Sequence, residues 1–152
     1  MKIAVFPGSF DPITVGHESI IKRALPLFDK IILAIGVNSS KQYMFSLEER
    51  IESLNTCFAN ENKIEVDHYE GLTVEYCNKT NANYILRGLR TGMDFEYERN
   101  IALMNLEMDS NIETIFLISE PKYSAMSSTV VRDILRNNGD IKRFVPKSFK
   151  LK

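Results

Sequence analysis

The run Gly8-Ser9-Phe10-Asp11-Pro12-Ile13-Thr14-Val15-Gly16-His17 combines residues that can hold an anion at the start of a helix. Gly8 lets the backbone approach a ligand closely, and Gly16 does the same where the helix should begin. Free N–H groups and the positive end of the helix dipole make such a start a phosphate site. His17 lies just before Ile20 and Ile21, so its ring should point inward. A lone histidine there is ordinarily a hydrogen-bonded core or capping residue, and His68 is read that way. For His17 the company favours a phosphate-facing role. Lys41 offers a point charge in a serine-containing loop. Arg87 and Arg90 flank Gly88 and offer planar forks that match phosphate oxygens. Ser127-Ser128-Thr129 supplies three hydroxyls at a second helix start, more than one N-cap needs. Arg132 lies one turn later and could reach the same anion or only the surface. Glu98 falls on the apolar face of a helix and wants a partner such as a ribose hydroxyl, an arginine or a neighbouring subunit, the plainest alternative being an ion pair with Arg90 or Arg99.

These residues need elements to carry them. Ile3 to Phe6, Lys30 to Val37, Lys63 to His68, Asn83 to Leu86 and Glu113 to Ile118 read as strands. The second is a continuous β-branched run, as in a strand covered on both faces. Helices are expected over His17 to Phe28 (bent near Pro26), from Ser46 to about Ala59, over Thr73 to Lys79, from Asp94 to about Met108, and over Ser127 to Asn137. Asn138-Gly139 should end the last helix. The basic tail beyond it is expected to be partly loose. Strict β-α alternation implies one Rossmann-like, doubly wound domain over residues 1–152, with about five parallel strands and helices on both faces. Such sheets bind ligands beyond their strands' carboxyl ends, which is where each candidate falls.

The net charge of −1 argues against a nucleic-acid binder. No apolar stretch is long enough for a membrane span or a signal peptide. A soluble, cytoplasmic protein is expected, with Cys57 and Cys77 reduced and buried and no metal-ligand spacing. The Asp94 helix carries a second apolar stripe, Ile101, Met104 and Met108, which a neighbouring helix or a second subunit would cover.

Thr14-Val15-Gly16-His17 resembles the T/HxGH signature of the nucleotidyltransferase superfamily, and Met126 to Arg132 resembles its second signature. Within that superfamily the chain is similar to the bacterial phosphopantetheine adenylyltransferases. The likeness runs through Pro7 to His17, Lys41 with Met44 to Arg50, and Arg87 to Arg90 with Asp94 to Glu98. It implies transfer of AMP from ATP to 4'-phosphopantetheine, with magnesium and a homohexamer. By position, the resemblance puts Ser9, Lys41, Thr73 and Arg87 on phosphopantetheine. It puts Ser9, Phe10, His17, Gly88, Leu89, Arg90, Glu98, Tyr123, Ser124, Ala125, Met126, Ser127, Ser128 and Thr129 on ATP. His17, Lys41, Arg90 and Ser128 would be catalytic. Ser9 stands where threonine is common, Thr73 where a larger apolar residue can occur, and Ala125 where the family usually has an aromatic ring. Adenylyl or cytidylyl transfer to another small phosphate, a non-catalytic nucleotide sensor, and a fragment of an aminoacyl-tRNA synthetase are the competing readings.

Overall fold

The computed structural model describes residues 1–152. Five parallel strands form one sheet in the order β3-β2-β1-β4-β5. They are β1 (Ile3–Gly8), β2 (Lys30–Gly36), β3 (Ile64–Tyr69), β4 (Tyr84–Leu89) and β5 (Glu113–Ile118). The helices are α1 (Val15–Ala24), α2 (Leu47–Cys57), α3 (Thr73–Lys79), α4 (Gly92–Met108) and α5 (Ser128–Arg136). The doubly wound fold expected from the sequence is the one observed.

The period of a strand explains the two layers. Ala4 and Phe6 of β1 face one side and pack with Ile20, Ile21 and Ala24 of α1 and Leu54 of α2. Ile3 and Val5 face the other and pack with Val74, Tyr76 and Cys77 of α3. Cys57 and Cys77 are both free, the first half-buried and the second buried.

The site begins where the sheet splits. β1 pairs with β4 only through Ala4 with Tyr84 and Val5 with Ile85. Beyond that point β1 follows β2 as far as Gly8 with Ile35, and β4 follows β5 as far as Leu89 with Ile118. The two central strands part, and their carboxyl ends frame a crevice, as expected at a topological switch point.

Several boundaries differ from the sequence reading. Arg87, Gly88 and Leu89 lie within β4, not in the loop after it, because pairing with β5 carries the strand through them. The first helix stops at Ala24, and a 3-10 turn over Leu25–Leu27 holds Pro26. Asn138, with φ of 60°, is the left-handed residue after α5, and the Gly139 N–H bonds Ile134 O at 2.9 Å. The tail is docked. Its Ile141 and Val145 are buried against Val131, and Phe144 O accepts the Val15 N–H at 2.9 Å. Apolar residues interleaved with its lysines override the charge.

Candidate active site

The turn from β1 into α1 is held from inside. Phe10 takes a positive φ of 48°, and its buried ring meets Phe6 edge-on at 5.7 Å between centroids. A Cβ on Gly8 would sit 3.0 Å from that ring, so space beside Phe10 is a reason for glycine there. Thr14 caps α1 by accepting the His17 N–H at 3.3 Å. In return the Thr14 N–H donates to His17 Nδ1 at 3.0 Å. The sequence therefore builds a capping box with histidine in place of the usual glutamate.

That bond determines the state of the ring. Nδ1 accepts, so in neutral imidazole the proton is on Nε2. Burial, then the charges of Arg87 and Arg90, push the His17 pKa down to about 4. The ring is neutral at pH 7. No buried side-chain nitrogen or oxygen lacks a partner, and Nε2 has none in the protein, so its N–H opens onto the cleft. Capping uses Nδ1 and leaves Nε2 free, so the two roles that stood as alternatives in the sequence do not exclude each other.

Two clefts meet at the split. The first, about 250 Å³, is lined by Gly8, Phe10, His17, Gly88, Arg90, Asp94, Tyr123, Met126, Ser127 and Ser128 among others. The second, about 410 Å³, is lined by Ser9, Lys41, Tyr43, Tyr69, Thr73, Tyr97, Ile101 and Asn105 among others. Pro7, Gly8, Arg87 and Glu98 belong to both. Arg87 crosses the gap between the parted strands. Its Nη1 donates to Pro7 O at 2.5 Å, its Nε to Glu98 Oε2 at 2.9 Å and its Nη2 to Glu98 Oε1 at 2.7 Å. Of the alternatives the sequence left open for Glu98, an arginine partner is the one observed, and it is Arg87 instead of Arg90 or Arg99. The contact crosses from strand to helix, where local spacing gives no hint of it.

Arg90 instead bonds Asp94 through Nε at 3.0 Å and Nη2 at 3.3 Å, and donates from Nη1 to Met126 O at 3.1 Å. Arg90 pulls the Asp94 carboxyl below its ordinary range despite partial burial. Ser127 caps α5 by accepting the Val130 N–H at 3.2 Å, and the Ser128 hydroxyl donates to Pro12 O at 2.7 Å. Thr73 shares a 2.7 Å hydrogen bond with Tyr69, whose ring stacks on Tyr76 at 4.6 Å. The Lys41 side chain is exposed at the second cleft and makes no hydrogen bond or ion pair within the chain, while the backbone N–H of the residue donates to Asn38 O at 3.1 Å.

Some sequence candidates stand apart. Leu89 is buried, and Ser124, Ala125 and Thr129 do not line either cleft. Arg132 donates to Asp11 O at 2.9 Å and to Thr129 Oγ1 at 3.2 Å, so it braces the turn from behind. Sequence reasoning missed Asp94 and Tyr43. The i,i+4 spacing of Arg90 and Asp94 was a usable signal for the first; none marked the second.

The crevice, the neutral histidine and the two helix starts define a nucleotide-handling α/β site. Residues 5–134 match the family described as cytidylyltransferase-like, and the chain belongs to that family. The fold is shared with a Vibrio parahaemolyticus structure provisionally assigned as a nicotinate-nucleotide adenylyltransferase. That structure has a TM-score of 0.72 and 20% identity, covering 97% of this chain and 96% of the other.

More specifically, the chain belongs with the phosphopantetheine adenylyltransferases. It is 56% identical to the phosphopantetheine adenylyltransferase of Christiangramia forsetii, covering 96% of each chain. It is 52% identical to that of Flavobacterium psychrophilum, covering 100% of each.

Proposed function

We propose that this enzyme transfers the adenylyl group of ATP to 4'-phosphopantetheine, giving 3'-dephospho-coenzyme A and pyrophosphate. The observation that carries this reading is the pair of clefts meeting at Arg87 and Glu98. One suits a nucleotide, and the other suits a phosphorylated acceptor with a longer, partly apolar arm.

An acceptor phosphate oxygen attacks the α-phosphorus of ATP, and the bond to the bridging oxygen breaks as pyrophosphate leaves. A phosphate monoester carries about −1.5 to −2 at pH 7, so it needs little help from a base. The protein's work is positioning and charge stabilisation. Lys41 and Arg87 offset repulsion on the incoming phosphate, with Ser9 and Thr73 beside them. His17 donates from Nε2 to an α-phosphate oxygen as charge develops there. Arg90 and the N-terminus of α5, with Ser127 and Ser128, receive the remaining phosphates.

Magnesium belongs to this reading as a partner of the triphosphate. No cluster of three His, Cys, Asp or Glu side chains is gathered for a metal, and Asp94 and Glu98 are both paired with arginines. That donor set fits an ion carried on phosphate oxygens and water, not a protein cage. When bound, the ion would supply charge neutralisation for the leaving pyrophosphate.

A homo-oligomer, and a hexamer by family, is part of the same proposal. α4 has no buried residue in the single chain, and Met93, Ile101, Met104 and Met108 are exposed along it. Light scattering that gives a monomer at micromolar concentration would reject it. No helix is long and apolar enough to cross a membrane, and a cytoplasmic location is proposed for the enzyme.

Pyrophosphate release with ATP, magnesium and 4'-phosphopantetheine tests the function, with mass detection of 3'-dephospho-coenzyme A. Turnover with nicotinamide mononucleotide or glycerol phosphate instead would replace the acceptor.

A further inference from the structure

The Lys41 ammonium has no partner in the chain to hold it, so its position depends on the backbone of residues 37–46 between β2 and α2. Two charged side chains are buried in the whole protein, Asp11 and Arg50, each 3% exposed. A buried charge is costly unless its bonding groups are satisfied. Neither makes an ion pair. The Asp11 carboxylate accepts the Met44 N–H at 2.9 Å and the Phe45 N–H at 2.8 Å. Arg50 donates from Nη1 to Ser9 O at 3.0 Å and from Nε to Ser46 O at 3.3 Å. Its guanidinium lies 4.1 Å from the centroid of the Tyr43 ring. Tyr43 is tied to the end of β2, accepting the Asn38 N–H at 3.3 Å and donating to Gly36 O at 3.4 Å.

The bonds of these two buried charges therefore join the β1–α1 turn, which carries Ser9, to the segment that carries Lys41. An ordinary salt bridge would satisfy both charges with less geometry. We propose that Asp11 and Arg50 are positioning residues that set the distance between Ser9 and Lys41, and hence the fit of the acceptor's phosphate. This rests on the reading of the Lys41 cleft as the acceptor site. Arginine is required because a planar fork can serve two carbonyls and stack on a ring at once; an ammonium on a flexible stem cannot.

The test is Arg50→Lys, with steady-state kinetics in both substrates, a thermal melt, and hydrogen exchange across residues 37–46. The expected result is at least a tenfold rise in KM for 4'-phosphopantetheine, with KM for ATP within twofold, and faster exchange at Met44 and Phe45. Equal rises in both KM values overturn the proposal, as does a lowered melting temperature with unchanged kinetics. If Arg50→Lys does not fold, Asp11→Asn carries the same test. It keeps the shape but turns one acceptor into a donor facing a backbone N–H. If the wild type fails to consume phosphopantetheine, the functional reading falls, and the exchange rates still decide whether these residues hold the segment.

Discussion

The two clefts are adjacent, share a wall, and are built differently. On the His17 side the polar side chains are anchored by the protein before any ligand arrives. His17 is locked by Thr14, Arg90 by Asp94, and Ser128 by Pro12. On the other side Lys41 stands free, and order resides in the backbone beneath it. Under the proposed function, the difference matches what each side would have to do. Charge that develops in a transition state is best met by donors already fixed in place. An incoming phosphate that carries its full charge needs attraction, and a lysine supplies it without exact direction. Arg87 and Glu98 stand between the two modes, fixed to each other and exposed to both clefts.

If the comparison is right, the largest effects belong to His17. Its replacement by alanine should lower kcat on the order of 10²-fold, the scale of losing one oxyanion donor. KM for ATP should change much less. An unchanged kcat in a folded variant would break the comparison at its strongest point. The same ring predicts a pH dependence of stability. The unfolded chain takes up this proton near 6.5, the folded one only near 4. Stability from this group is complete above 6.5 and is lost as pH falls from 6.5 to 4. The contribution is roughly 2–3 kcal/mol, since one edge of the ring meets the cleft. As pH falls from 6.5 to 4, melts at a series of pH values should show the wild type losing more stability than His17→Gln. Parallel curves would show that the imidazole is not held neutral.

Lys41→Ala should be weaker and one-sided. Losing a free cation should weaken 4'-phosphopantetheine binding about tenfold, roughly 1.4 kcal/mol, and leave ATP binding within about twofold. Calorimetry with each ligand alone makes the measurement. Equal losses would mean that the two clefts act as one site.

How far the sequence revealed this division follows from where each signal lies. Local residue pattern placed α3 and β5 to the residue, because that signal needs no distant partner. The end of β4 was hidden by Gly88, which reads as a turn until β5 pairs with it. The tail was misread because its charges outnumber its anchors Ile141, Val145 and Phe149. His17, Lys41, Arg87 and Arg90 were legible as a set, since strand ends in such a sheet converge. Their partners were less so. Glu98 finds Arg87 from helix to strand, and Arg50 finds Ser9 from a helix elsewhere in the chain. Such contacts have no period to detect.

The shared wall gives the smallest predicted effect and the sharpest one. The bidentate contact of Arg87 with Glu98 occupies two of its N–H groups, and Pro7 O holds a third. An acceptor phosphate must share the guanidinium with that carboxylate. Glu98→Gln removes the competing charge and keeps a hydrogen-bond acceptor, so Arg87 stays near its place. Phosphopantetheine should then bind about threefold tighter at low salt, and the gain should shrink as added ions screen the extra positive charge. ATP should not gain by the same factor, because Arg90 keeps its own carboxylate. Weaker acceptor binding in this variant would invert the assignment. Glu98 would then be the group that aims Arg87, and the wall would belong to the fixed side of the site.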